Sequence, residues 1–139
     1  MKRQTACLSL LVALLLVIGG GSLVAQAQVQ VFQGYLCTAA CGTKGIDSAG
    51  NDLTIHPEEH AVACMKECAY TGMGIMMKTA GSNRYAFFRF DPDGANLAQQ
   101  ILLSTKRDNG VTIEVKGSLK SDVIVVTAIR ETVGLSVSY

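Results

Sequence analysis

The sequence predicts a mainly β domain, and three stretches carry that reading. Val111, Ile113 and Val115 alternate with Thr112, Glu114 and Lys116, the period of a strand with one face buried. Residues 75–78 and 85–90 flank Gly81-Ser82-Asn83 as paired strands flank a turn. Residues 123–132 are rich in Val, Ile and Thr and follow a Gly- and Ser-containing turn over 117–122.

The remaining elements fall around these. Residues 28–36 hold Val29, Val31 and Tyr35 in loose alternation and read as a first strand. Residues 37–53 are rich in Gly, Ser, Thr, Asn and Asp, with Gly42, Gly45 and Gly50 as turn positions. A helix is expected from Pro57, with Glu58 and Glu59 favourable at its positive end, to Tyr70, stopping at Gly72. Asp91-Pro92-Asp93-Gly94 reads as a turn, and 96–104 as a short helix with Leu97, Ile101 and Leu102 on one face. Five strands with a helix between the third and fourth match an OB-like barrel. The expected fold is therefore a small five-stranded OB-like barrel with a cysteine-rich helical insertion, 37–72, between strands 1 and 2.

Length and charge bound the partners. The chain has 139 residues, enough for one domain, with 12 basic and 11 acidic side chains. So balanced a charge gives no electrostatic case for nucleic acid or acidic lipid as the main partner. Two prolines and 49% hydrophobic residues exclude a disordered chain.

The N-terminus reads as an address. Lys2 and Arg3 precede an apolar run over 8–18, Gly19-Gly20-Gly21 breaks it, and Ala25-Gln26-Ala27 supplies the small residues of a cleavage site. The run is shorter than the ~20 apolar residues a bilayer requires, so no stable membrane span is expected after cleavage. Residues 1–27 are thus expected to be a signal peptide and 28–139 a single periplasmic or secreted domain. Cys7 precedes the apolar run and cannot be the lipid-accepting cysteine of a lipoprotein.

Four cysteines remain, as Cys37-x-x-x-Cys41 and Cys64-x-x-x-Cys68, with His60 four residues before Cys64. On one helix His60, Cys64 and Cys68 would form a row. An even count in an exported domain favours two disulfides, with three pairings open. If 37–41 is a helical turn packed antiparallel on the later helix, the pairing is Cys37–Cys68 and Cys41–Cys64. The alternative is a metal site, three thiolates and an imidazole holding zinc or copper, for which Met73, Met76 and Met77 offer thioethers. A thioredoxin-like dithiol lacks its C-x-x-C at a helix start, and no C-x-x-C-H attaches haem.

Other polar residues carry less. His56 reads as an exposed residue ahead of the helix. The series Asp91, Asp93, Asn96 lacks the closing Glu of a calcium loop, since Leu102 stands there. Tyr85, Phe87 and Arg89 share one strand face and could form a stacking platform; Ala86, Phe88 and Phe90 on the other are expected in the core. No G-x-S-x-G occurs and neither His has an acid and nucleophile beside it, so no catalytic residues and no enzymatic activity are expected.

From residue 34 to about 129 the chain resembles a group of small secreted bacterial proteins with an OB-like barrel. The resemblance lies in Gly34-Tyr35-Leu36-Cys37, Gly42-Thr43-Lys44-Gly45, His60 with Cys64 and Cys68, Gly72-Met73-Gly74, Tyr85-Ala86-Phe87 and the strand ending at Gly117. It implies Cys37, His60, Cys64 and Cys68 as the usual set, with Cys41 an addition, and it brings no activity. The functional expectation is an exported, non-enzymatic binding module held by two disulfides, its barrel face meeting a protein or small ligand. The alternative is an extracytoplasmic metal-binding protein, with Cys37, His60, Cys64 and Cys68 as ligands to zinc or copper.

Overall fold

In the computed structural model, which describes residues 28–135, five strands close into a ring. The expected signal peptide and its cleavage point lie outside the described residues. The strands are β1 (Gln30–Thr38), β2 (Met73–Lys78), β3 (Tyr85–Phe90), β4 (Thr112–Lys120) and β5 (Val123–Glu131). Around the ring they run β1-β2-β3-β5-β4, and β4 returns to β1 with Phe32 opposite Val115. Every pairing is antiparallel except that of β3 with β5, which are parallel at Arg89–Val123 and Phe90–Ile124. Three short helices complete the fold: α1 (Ala39–Lys44), α2 (Val62–Cys68) and α3 (Pro92–Ser104).

The strand order along the chain is as read from sequence, and the differences lie at ends and breaks. The stretch over 117–122 is not all turn. β4 continues to Lys120, and the chain reverses at Ser121-Asp122, with Ser121 at φ 58°. Gly117 sits at a register shift, where a Cβ would lie 2.3 Å from the Val125 carbonyl oxygen. A glycine is required there by close backbone approach rather than by a turn.

Asp91-Pro92-Asp93-Gly94 is likewise a helix start. The Asp91 carboxylate accepts hydrogen bonds from the backbone N–H groups of Gly94 at 3.2 Å and Val126 at 3.0 Å, and Pro92 takes the first helical position. One cap therefore begins α3 four residues earlier than expected and ties it to β5. Ala98 and Leu102 bury the inner face of α3 against the ring, whose interior holds Leu36, Ile75, Phe90, Ile113, Val115 and Ile124.

The largest departure is the helix expected over 57–70. A single 3₁₀ turn, Pro57–Glu59, is followed by extended backbone at His60 (ψ 111°) and Ala61 (ψ 137°), and only then by α2. The break comes from the neighbouring strand-like segment. Gly110 donates to the His60 carbonyl, Val62 donates to that of Asp108, and Ala61 bridges Asn109. Those bonds hold 60–62 extended against 108–110, and local helix propensity yields to them.

Candidate metal centre

A second, smaller apolar cluster lies outside the ring interior, under the connection between β1 and β2. It consists of Cys37, Cys41, Leu53, Cys64 and Met76, with Tyr35, Tyr85 and Phe87 packed partly buried against it. Within it, one ligand atom each from Cys41, His60 and Cys64 lies within 4.8 Å of the others. All three residues are buried, His60 to 1% exposure.

Each is positioned by a different element. β1 feeds directly into α1, which carries Cys41 at its third residue. Gly45 ends that helix at φ 73°, its N–H donating to the Cys41 carbonyl at 2.8 Å. Gly42 lets α1 lie flat on β3, since a Cβ there would come 2.2 Å from the Phe87 ring. The same ring lies 2.5 Å from where a Gly74 Cβ would stand, so Phe87 is seated between two glycines, against α1. Cys64 is on the first turn of α2, and the extended break before that helix turns His60 in towards both sulfurs.

The loop over 46–52 closes above them, pinched by a bridge between Ile46 and Asp52. Its centre is Asp47, whose carboxylate accepts from the Ala49 and Asn51 backbone and from the Asn51 side chain, each at 2.9 Å. Burial would raise the Asp47 carboxyl, but these hydrogen bonds outweigh it and hold the group below the ordinary Asp value. From the exposed side of this loop the Ser48 hydroxyl donates to Cys64 Sγ at 3.2 Å.

The chemistry of the three groups is unusual for a protein interior. Neither ring nitrogen of His60 has a hydrogen-bond partner, although both are buried. Burial lowers its basicity, with the Asp47 charge opposing only in part, so the ring stays neutral. A neutral imidazole with a lone pair and no donor facing it is poised to be a ligand. Burial pushes the Cys41 thiol up to about 11, the Thr38 hydroxyl opposing and the Cys64 sulfur adding to the rise. The two sulfurs stand 3.9 Å apart. Among the described residues no disulfide joins the four cysteines.

The residues expected from sequence are thus brought together in part. His60 and Cys64 join the cluster, but Cys41 completes it where Cys37 and Cys68 were expected. Cys37 is not on a helical turn with Cys41. It lies on β1, fully buried, its thiol directed to the Thr38 carbonyl at 3.4 Å, and burial pushes its pKa up. Cys68 ends α2, half-buried. Of the methionines, Met76 alone enters the cluster, while Met73 and Met77 belong to the ring interior. His56 is exposed and pairs with Glu58 at 3.0 Å. Ser48 and Leu53 were not singled out, and nothing in their local sequence marks them.

Among the described residues no helix is long and apolar enough to cross a membrane. Compared with protein-family models, curated proteins and solved structures, the chain matches none.

Proposed function

We propose that this protein is an extracytoplasmic metal-binding protein, exported by the segment over 1–27, whose ligands are Cys41, His60 and Cys64. The observation that carries the reading is the buried imidazole of His60, unpartnered at both nitrogens, beside two thiols within 4.8 Å. A buried polar group without a partner costs about 1–3 kcal/mol, and natural structures retain one only where something else compensates. A thiophilic metal supplies that compensation, taking two thiolates and an imidazole lone pair. The expected scaffold is OB-like. The ring order with β3 parallel to β5, and the helix between β3 and β4, support that assignment. The resemblance to small secreted bacterial proteins is retained as part of this proposal, with Cys41 rather than Cys37 in the ligand set.

The test is metal uptake by the reduced, chelator-treated protein. One metal ion per chain is expected, lost in Cys41→Ser, His60→Ala and Cys64→Ser. Uptake unaffected by all three substitutions overturns the assignment.

One observation favours a second reading. The sulfurs of Cys41 and Cys64, one of the two pairs expected from sequence, are neighbours at 3.9 Å. In that reading the protein is a non-enzymatic interaction module, with Cys41–Cys64 and Cys37–Cys68 as cross-links and a face of the ring meeting a protein or small ligand. A denatured mass lighter by four hydrogens, with no metal retained, selects it.

A further inference from the structure

Resting on the metal-binding reading, we infer that the ion held by Cys41, His60 and Cys64 is copper(I), in a three-coordinate site, and not zinc. The donor count comes first. Three ligand atoms converge, whereas a structural zinc site closes with four. The other carboxylate, hydroxyl and thiol groups of the 46–52 loop and of Cys37 and Cys68 are committed or lie outside the group. The Asp47 carboxylate accepts three hydrogen bonds from its own loop. Ser48 points its hydroxyl proton at Cys64 Sγ, leaving that sulfur as the acceptor. Cys37 directs its thiol to a carbonyl and Cys68 lies outside the group.

The surroundings come second. The cluster is built from soft, polarisable atoms, the thioether of Met76 (1% exposed) and the thiol of Cys37 packing with the two ligand sulfurs and Leu53. Thiolate ligands suit both copper(I) and zinc, and the donor count, one short of the four that close a structural zinc site, separates the two here. Copper(I) is a d¹⁰ monovalent ion content with three donors, and here it meets two sulfurs and one nitrogen on buried residues. On binding, the two S–H bonds break, two Cu–S bonds form, and two protons leave to solvent while copper stays +1. The complex keeps one net negative charge, which the Ser48 hydroxyl meets at the Cys64 sulfur, on the side where the loop over 46–52 reaches solvent.

The experiment titrates reduced, metal-free protein anaerobically with Cu(I) and separately with Zn(II), reading X-ray absorption at each metal edge. Cu(I) is expected to saturate at one per chain with two sulfurs and one nitrogen and no oxygen, unchanged in Cys37→Ser and Cys68→Ser. Zn(II) is expected to keep a water oxygen and to be stripped by a mild chelator that leaves Cu(I) bound. A four-coordinate, oxygen-free Zn(II) site that loses a sulfur in Cys37→Ser or Cys68→Ser overturns the copper(I) inference while leaving metal binding intact. Uptake of neither ion overturns the metal-binding reading itself.

Discussion

Replacing His60 by leucine should have opposite effects with and without metal. In the metal-free protein both imidazole nitrogens are buried without partners, and a buried unsatisfied polar group costs about 1–3 kcal/mol. Leucine fills a similar space and removes that cost, while the backbone carbonyl at this position keeps its bond from Gly110. The metal-free variant should therefore be more stable than wild type by ~1–3 kcal/mol, or roughly 4 °C in Tm for each kcal/mol at this chain length. With metal at about a hundred times its Kd, wild type gains ~2.7 kcal/mol and the variant gains nothing. The pH dependence separates them further. Burial holds the folded His60 pKa below its ordinary value, so the folded state binds fewer protons than the unfolded state below about pH 6.5. Wild type, metal-free, should lose stability as pH falls through that region, and His60→Leu should lack this part of the loss. Thermal and denaturant unfolding with chelator or with metal reads all three effects. A variant destabilised by more than about 2 kcal/mol without metal, yet still stabilised by it as wild type is, would refute the reasoning.

Further outcomes follow from the shell around the site. Gly42→Ala drives a methyl into the Phe87 ring and should cost about 1–3 kcal/mol by denaturant midpoint, with weaker metal uptake because Cys41 is adjacent. Stability without loss in this variant would mean that α1 does not rest on Phe87. Asp47→Asn should flatten the acid side of the stability profile: the wild-type carboxyl lies below its ordinary value when folded, so its contribution is present above about pH 4 and fades as pH falls further. A mild oxidant should join Cys41 to Cys64 in the metal-free protein, leave Cys37 as a thiol and abolish metal uptake, as peptide mapping would show.

Legibility in the sequence followed how local each determinant is. β3 was readable residue for residue because its aromatic run and the turns on either side are contained in the segment itself. The capped start of α3 was not, since Asp91 is shared with the Val126 N–H of a strand far along the chain. The break at His60 was hidden for the same reason, its cause being the backbone of 108–110. Within the site, spacing brought out His60 and Cys64 as neighbours, although the helix that would have aligned them does not form there. The choice of Cys41 over Cys37 turned on where β1 ends. An extra pair of β1 residues matched to β2, Cys37 with Gly74 and Thr38 with Met73, carries Cys37 into the sheet and leaves Cys41 for α1.

The most direct measurement is the intact mass, native and denatured, of the protein isolated without reductant from its own compartment. The account predicts one metal ion in the native spectrum and, on denaturation, a mass with every cysteine as a thiol. A metal-free native spectrum with a denatured mass lighter by four hydrogens would contradict it.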